Sequence, residues 1–268
     1  DFEELGIEVL EMDITNQEKT HKFYDNIDFV FHQAAIASVP FSIKNPDLSA
    51  HHNVGGTVSA LQNSSSNKVT KLIFASSTAI YGNTIKIPTS EFTESMPQSP
   101  YAEQKLAGEN HCYDYFDSGR LRTTSLRYFN VFGPYQDPKS EYSAVIPKFI
   151  DLALQNKDLI VYGDGNSTRD FVFVDDVIQA NLRAAVSDKS DGEVINVASG
   201  QTMAIVNLAT LIIELTSSKS SIIFKEPRRG DIIHSAADIK KAKILLGYKP
   251  QTNIINDLSK TIDYFRSN

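Results

Sequence analysis

Short apolar segments that alternate with polar, helix-forming stretches are the feature that most limits the fold of this chain. In the first half these apolar segments cover residues 7–12, 29–32, 71–77 and 123–128. Each has the length of an ordinary strand and is followed by enough chain for a crossover helix. This alternation predicts an α/β fold with a doubly wound parallel sheet.

The clearest helix start lies just before residue 101. Ser99 is a suitable N-cap and Pro100 a suitable first residue, so the sequence predicts a helix over 101–117. A second helix is expected over 46–61, opened by the proline at its start. The stretch 63–67 consists of serine and asparagine, which are poor helix formers, and we expect a loop there.

The spacing of elements changes after residue 140. We expect a helix at 145–154, a strand at 159–162, a turn at 163–166, a strand at 170–174, a helix capped by Asp175, a strand at 193–197, and helices at 203–216, 238–246 and 255–265. The sequence therefore predicts a larger domain over 1–140, to which 175–200 returns with a strand. A smaller mixed α/β lobe is expected over 141–268.

The composition excludes several classes of protein. The 268 residues have a formal net charge of -7, so the basic surface of a nucleic-acid-binding protein is missing. No apolar run reaches the roughly 18 residues that a membrane span needs. Cys112 is the only cysteine, which excludes a disulfide framework and predicts a reducing compartment such as the cytoplasm.

Tyr101 and Lys105 are the strongest candidates for a reactive pair. Their spacing in the predicted helix brings the phenol and the ammonium to one helix face. A neighbouring cation lowers the pKa of a tyrosine, whose phenolate can then accept a proton from an alcohol near neutral pH. The same spacing is common on solvated helix faces. Ser77 favours the functional interpretation because it ends a predicted parallel strand, where ligands bind in open α/β sheets.

Several motifs together resemble the extended short-chain dehydrogenase/reductases. They are Ser76-Ser77 at a strand end, Tyr-x-x-x-Lys at 101–105, Arg-Tyr-Phe-Asn-Val-Phe-Gly-Pro at 127–134, Gly-Asp-Gly at 163–165, Thr-Arg-Asp-Phe-Val at 168–172 and Arg-Arg-Gly-Asp at 228–231. Within that family, residues 32–35, 38–43 and 144–148 resemble most closely the UDP-N-acetylglucosamine 4-epimerases. The resemblance implies a Rossmann-type NAD-binding domain over 1–140 and a substrate-binding lobe over 141–268.

The resemblance also implies a role for each matching residue. Tyr101 resembles the general base, Lys105 its pKa modifier, and Ser77 the hydroxyl that hydrogen-bonds the sugar O4, with Thr78 as the alternative. Implied cofactor-binding residues are Asp13, Ile14, Ala34, Ala35, Asn53, Tyr101, Lys105 and Tyr128. Implied substrate-binding residues are Ser38, Asn130, Ala144, Val145, Tyr162, Arg169, Arg228, Asp231 and Ser235. The arginines suit a diphosphate, which a guanidinium can bind through two hydrogen bonds.

Ser235 is expected to influence the choice of sugar. In the resembling family, the residue seven positions after the diphosphate arginine lies beside the substituent on sugar carbon 2. A small residue there leaves room for an N-acetyl group, and Ser235 is small. The resemblance therefore implies UDP-GlcNAc and UDP-GalNAc as substrates, with UDP-Glc and UDP-Gal as poorer ones.

One motif of the resembling family is missing. Its members open with a strand, a G-x-x-G-x-x-G turn and a helix, whose N–H groups hold the dinucleotide pyrophosphate. Before Asp13, this sequence has only Gly6. We therefore expect a βαβ unit of about 30 residues or more to be absent. In the family's sheet order, its two strands lie between the segments at 7–12 and 29–32.

The implied reaction is 4-epimerisation of a UDP-sugar through a transient 4-keto sugar, carried out by a homodimer without a metal ion. Other NAD-dependent nucleotide-sugar enzymes are alternatives, among them 4,6-dehydratases and UDP-glucuronate epimerases or decarboxylases. The dehydratases carry Asp-Glu after the strand-end hydroxyl, where this chain has Thr78 and Ala79, and the decarboxylases carry a Glu near Ala79. A catalytically silent NAD-binding relative is a further alternative, although such proteins usually lose the tyrosine or the lysine.

Overall fold

The computed structural model describes residues 4–84, 86–138, 144–227 and 233–267. The strands in chain order are β1 (Phe29–His32), β2 (Lys71–Ser77), β3 (Arg122–Tyr128), β4 (Asn130–Phe132), β5 (Leu159–Tyr162), β6 (Thr168–Arg169), β7 (Phe171–Phe173), β8 (Val194–Val197), β9 (Met203–Ala204) and β10 (Ile222–Lys225). The α-helices are α1 (Gln17–His21), α2 (Val39–Lys44), α3 (Pro46–Ala50), α4 (Gly56–Ser66), α5 (Pro100–Asp117), α6 (Val145–Leu154), α7 (Val174–Val186), α8 (Ile205–Thr216), α9 (Lys240–Leu246) and α10 (Ile254–Ser267).

A parallel sheet of four strands, in the order β1-β2-β3-β8, is the largest sheet in the described part of the chain. Leu72 lies opposite Val30 on one side and Thr123 on the other, so β2 is flanked by strands on both edges. Leu72, Ile73 and Phe74 are almost fully buried, because helices cover the faces of a parallel sheet. The predicted parallel α/β sheet is confirmed, as are the strands at 29–32, 71–77, 123–128 and 193–197.

The predicted strand at 7–12 is wrong. Those residues form no strand, and Ile7, Val9 and Leu10 are 47%, 62% and 43% exposed. A strand exists only through hydrogen bonds to a neighbouring strand. Among the described residues nothing pairs with this segment, so its apolar sequence is not sufficient to form one.

The predicted loop at 63–67 is also wrong, because α4 continues to Ser66. Asn63 is fully buried, and its amide nitrogen donates to the carbonyl oxygen of Gln17 and the hydroxyl of Thr20, both at 3.0 Å. These bonds tie α4 to α1 and outweigh the low helix propensity of the segment. The expected helix at 46–61 is interrupted by a π-helical turn, His51–Gly55, between α3 and α4.

A second core forms where α6, α8 and α10 pack around β5 and β7, and we call this group of elements the lobe. Its core contains Ile146, Ile150, Leu159, Leu208, Ile212, Leu258 and Ile262. The strand expected at 170–174 is confirmed as β7, which covers Phe171–Phe173, and α7 begins at Val174 with Phe173 as its N-cap. Asp175 therefore lies in the first turn of α7 and does not cap it. The helix expected at 203–216 begins two residues later, because Met203–Ala204 pairs with β6.

Within the described parts of the chain, no helix has both the length and the apolar character needed to cross a membrane.

Candidate functional site

The carboxyl end of β2 carries the hydroxyl that the sequence singled out. Ser77 is the last residue of β2 and the N-cap of a short 3-10 helix, Thr78–Tyr81. Its Oγ accepts a 3.2 Å hydrogen bond from the amide of Ala79, which fixes the side chain at the end of the sheet. Ser77 and Thr78 are both half-buried.

Tyr101 lies in the first turn of α5, and the predicted cap of this helix is confirmed. Ser99 Oγ accepts from the amide of Ala102 at 3.2 Å. The amide of Tyr101 donates to Ser42 Oγ in α2 at 3.1 Å. Because the backbone of Tyr101 is held from a second helix, its phenol is fixed relative to the end of β2.

The Ser77 hydroxyl lies close enough to the Tyr101 phenol to affect its pKa. Burial raises the pKa of the Tyr101 phenol, and the Ser77 hydroxyl opposes that shift. The expectation that Lys105 lowers the pKa of Tyr101 is therefore wrong for this structure. The reason is geometric: the ammonium of Lys105 donates to the carbonyl oxygen of Ala75 at 2.7 Å and lies 5.9 Å from the centre of the Tyr101 ring.

Lys105 is itself buried beside the sheet. Its ammonium lies 5.0 Å from the centre of the Phe74 ring, and burial lowers its pKa to about 8. The carboxylate of Glu109, one helical turn further along α5, acts in the opposite direction. Lys105 can therefore change its protonation state in weakly alkaline solution.

A cleft of about 680 Å³ opens beside the end of β1. It is lined by Glu11, Met12, Asp13, Ile14, Ala34, Ala35, Ile36 and His52. The structure thus brings together four of the expected cofactor-binding residues, Asp13, Ile14, Ala34 and Ala35. Asp13 Oδ1 accepts hydrogen bonds from the backbone amide and the hydroxyl of Thr15, both at 2.9 Å. The hydrogen bond from the backbone amide is the main cause of the lowered pKa of Asp13.

These residues fit part of a dinucleotide such as NAD. The volume lies in the range of about 300–1,000 Å³ that is usual for ligand sites. Asp13 offers an exposed carboxylate to hydroxyl or amino groups, while the small Ala34 and Ala35 let a ligand approach the backbone closely.

Asn53 supports the wall of the cleft. It is buried, and its Oδ1 accepts from the amide of Ile36 at 2.7 Å. Its Nδ2 donates to the carbonyl oxygen of Ile36 at 3.1 Å and to Oε1 of Gln104 at 2.7 Å. Asn53 therefore links Ile36 to Gln104 by hydrogen bonds, which the sequence alone did not suggest.

Tyr128, at the end of β3, is held by two side chains that sequence reasoning missed. Its hydroxyl donates to Asn181 of α7 at 3.0 Å and accepts from the amide nitrogen of Gln33 at 3.1 Å. Burial raises the pKa of the Tyr128 phenol to about 12. The position of Gln33 directly after β1 was the available signal for its part in this cluster.

Arg169 and Ser235 of the expected substrate-binding residues lie close together. Arg169 is in β6, and its Nη1 donates to the carbonyl oxygen of Thr168 at 2.9 Å. The amide of Ser235 donates to the same carbonyl oxygen at 3.0 Å. The strand β6 therefore holds the arginine and the serine at one edge of the lobe.

The other expected substrate-binding residues lie on several different elements of the fold. Ser38 caps α2 by accepting from the amide of Phe41 at 3.1 Å, and Asn130 Nδ2 donates to the carbonyl oxygen of Asp170 at 3.0 Å. Ala144 is the N-cap of α6, Val145 its first residue, and Tyr162 the last residue of β5. Arg228 and Asp231 lie outside the described residues.

Known proteins match almost the whole chain. The family described as NAD dependent epimerase/dehydratase matches residues 2–198. A putative UDP-glucose 4-epimerase of Methanocaldococcus jannaschii is 34% identical over 263 residues, which cover 97% of this chain and 85% of that protein. A UDP-N-acetyl-alpha-D-glucosaminuronate decarboxylase of Bacillus cytotoxicus is 34% identical over 273 residues, with 97% and 84% covered.

A solved structure of an epimerase also matches almost the whole chain. The UDP-N-acetylglucosamine 4-epimerase from Methanobrevibacter ruminantium, in complex with UDP-N-acetylmuramic acid, matches with a TM-score of 0.93 and 36% identity. The match covers 97% of this chain and 83% of that one. This chain therefore shares its fold with a protein whose structure contains UDP-N-acetylmuramic acid.

Proposed function

The chain belongs to the NAD-dependent epimerase/dehydratase family, and from that premise we propose that it is a UDP-sugar 4-epimerase. Its proposed substrates are UDP-GlcNAc and UDP-GalNAc, with UDP-Glc and UDP-Gal as poorer ones. The observation that carries the proposal is that the Ser77 hydroxyl, at the carboxyl end of β2, lies close enough to the Tyr101 phenol in the first turn of α5 to affect its pKa. An alcohol placed between these two oxygens can be oriented by one and deprotonated by the other.

In the proposed reaction, NAD and the side chains of Ser77 and Tyr101 have different roles at carbon 4 of the sugar. NAD supplies the reversible oxidation at that carbon when it is bound. Ser77 orients the O4 hydroxyl by a hydrogen bond, and Tyr101 accepts its proton and later returns it. The Ser77 hydroxyl also favours the phenolate form of Tyr101, which is the form that can accept a proton, and Lys105 would bind the cofactor.

Cofactor binding is assigned in this proposal to the cleft beside β1 and to the residues around Tyr101. Asp13 and Ile14 would hold the adenosine end, and Ala34 and Ala35 would line the pyrophosphate side. Asn53 would act from behind the wall, since its amide holds both polar groups of Ile36. Tyr128 would lie next to the nicotinamide.

The turn after β2 favours epimerisation over dehydration. A 4,6-dehydratase needs carboxyl groups beside the sugar for proton transfer, and the turn Thr78–Tyr81 has none. Two carboxylates of the same domain are engaged elsewhere: the buried Glu109 binds Arg127, and the half-buried Glu91 accepts from the amide of Asn196. This supports a site with one general base.

The choice of an N-acetyl sugar depends on Ser235. The residue is small, half-buried, and fixed beside Arg169 by the bond from its amide to Thr168. If Arg169, Arg228 and Asp231 hold the diphosphate, Ser235 can lie beside carbon 2 of the sugar and offer its hydroxyl to an acetamide. A hydroxyl on carbon 2 would also fit, with fewer contacts.

The test is to incubate the full-length protein with each of the four UDP-sugars and to identify the products by NMR. We expect UDP-GlcNAc and UDP-GalNAc to reach the same equilibrium mixture from either side, with no loss of water or carbon dioxide. A 4-keto-6-deoxy product would identify a dehydratase. No conversion of any of the four sugars, with NAD bound, would favour a silent relative.

A further inference from the structure

Gln104 lies between the two reactive residues of α5 and makes an unusual set of contacts. It is 6% exposed. Its Oε1 accepts from Asn53 Nδ2 at 2.7 Å, while its Nε2 donates to Ser49 Oγ at 2.8 Å and lies 3.5 Å from the carbonyl oxygen of Pro46. One carboxamide therefore joins α5 to α3 and to the π-helical turn that follows it.

The contacts continue from Gln104 to the wall of the cleft. Asn53 binds both the amide and the carbonyl oxygen of Ile36, a residue that lines the cleft. Gln104 holds Asn53 in this orientation, because it accepts the one N–H that Ile36 does not use. If that acceptor is lost, a buried donor is left unpaired and the orientation of the Asn53 amide is no longer fixed.

The chemistry of the link requires an amide at position 104. Asn53 presents a donor to it and needs an acceptor, whereas the Ser49 hydroxyl donates its proton to the carbonyl oxygen of Pro46 and therefore needs a donor. A glutamine satisfies both demands in one side chain. A methionine of similar length has no donor and is only a weak acceptor.

We propose that Gln104 is a positioning residue, which sets the wall of the cleft at Ile36 relative to Tyr101 and Lys105 through Asn53. The inference deepens the proposed function and depends on it only in assigning the cleft to NAD. Gln104 lies on the same helix as Tyr101 and Lys105, so movement of α5 and movement of the cleft wall are coupled through one side chain. Such coupling keeps a bound cofactor and the general base in register.

The first experiment compares Gln104→Met with Tyr248→Phe in the full-length protein. Tyr248→Phe is the control, because it removes another buried hydrogen bond, from the hydroxyl to the carbonyl oxygen of Ala198, away from the cleft. For each variant we would measure Tm, the Kd of NAD⁺ by calorimetry, and amide hydrogen exchange. Gln104→Met should weaken NAD⁺ binding about tenfold and speed exchange at Ile36 about tenfold, while exchange within β2 is unchanged.

Tyr248→Phe should lower Tm but leave NAD⁺ affinity and exchange at Ile36 as in the wild type. If the two variants lose NAD⁺ affinity in proportion to their loss of Tm, Gln104 has only a structural role and the inference is wrong. Failure of the proposed function has a different signature. In that case the wild type converts no UDP-sugar, while the effect of Gln104→Met on exchange at Ile36 persists.

If Gln104→Met does not fold, the proposal can be tested with Ser49→Ala, alone and combined with Asn53→Ala. Ser49→Ala removes the hydroxyl that accepts from Gln104 and should shift NAD⁺ affinity and Ile36 exchange in the same direction, by about threefold. In an Asn53→Ala background, Ser49→Ala should have almost no further effect, because the route through Asn53 is already broken. Equal effects of Ser49→Ala in the two backgrounds would overturn the proposal.

Discussion

The carboxylate of Glu109 accepts two hydrogen bonds from the guanidinium of Arg127, at 2.8 and 2.7 Å, and both side chains are buried. Glu109 also accepts from the hydroxyl of Ser76 at 2.5 Å. The pair therefore joins α5 to β3 and to the residue preceding Ser77. The helix that carries Tyr101 is anchored to the sheet by this pair as well as by apolar packing.

Breaking this buried pair should strongly destabilise the protein. Arg127→Met leaves the Glu109 carboxylate buried without its countercharge, which typically costs about 3–5 kcal/mol. Adding Glu109→Leu should recover part of that loss, because an apolar pair replaces an isolated charge. The control is Arg266→Ala, which removes a partner of the exposed Asp263 and should cost less than about 1 kcal/mol. Urea unfolding measures all three; similar losses for Arg127→Met and Arg266→Ala would contradict the prediction.

Replacing the proposed general base should affect turnover far more than binding. Tyr101→Phe keeps the ring but removes the hydroxyl, so kcat should fall by about 10²–10⁴-fold with little change in the Kd of the UDP-sugar. Tyr115→Phe, on the same helix and equally buried, is the matched control and should keep full activity. A Tyr101→Phe enzyme that retains a tenth of the wild-type kcat would exclude Tyr101 as the base.

Patterns that depend on neighbouring residues in the chain predicted the structure well. The apolar runs gave β1, β2 and β3, and Ser99 with Pro100 gave the start of α5. These signals are local, because a cap or a buried strand is recognisable from a few consecutive residues.

Features that depend on tertiary contacts could not be predicted in this way. The segment at 7–12 has a strand-like sequence but pairs with no described strand, and α4 extends through serines because Asn63 binds α1. The bond between Asn53 and Gln104 joins residues far apart in the chain, so no local pattern reveals it. The direction of the Tyr101 pKa shift required knowledge of its burial, which spacing to Lys105 does not provide.

The stability of the protein should depend on His32 in mildly acidic solution. His32 is buried against Phe74 and bound to Thr57 at 2.9 Å, and burial lowers its pKa to about 4 from an ordinary value of 6.5. Between these two values the unfolded chain binds more protons than the native one, so this contribution to stability falls as the pH drops. The loss should be about 2 kcal/mol between pH 7 and pH 5.

His32→Gln keeps a polar partner for Thr57 but cannot be protonated. At pH 8, the difference in unfolding free energy between wild type and His32→Gln gives the intrinsic cost of the substitution. Because only the wild type loses stability through His32 as the pH falls, this difference in unfolding free energy should shrink or reverse by pH 5. Urea unfolding at several pH values provides the measurement. A constant difference between the two proteins from pH 8 to pH 5 would show that His32 does not titrate as its burial predicts.

Enlarging the residue at position 235 should change the sugar that the enzyme accepts. The amide of Ser235 is fixed to the carbonyl oxygen of Thr168, so a larger side chain here cannot move away by a shift of its own backbone without breaking that bond. Ser235→Tyr should therefore abolish turnover of UDP-GlcNAc and UDP-GalNAc while sparing UDP-Glc and UDP-Gal. Ser235→Ala is the matched control: it keeps the space, removes only the hydroxyl, and should lower kcat/KM for the N-acetyl sugars by about 5- to 10-fold. Steady-state kinetics with all four UDP-sugars provides the measurement. A Ser235→Tyr enzyme that still converts UDP-GlcNAc at the wild-type rate would show that another residue of the lobe limits the size of the sugar substituent.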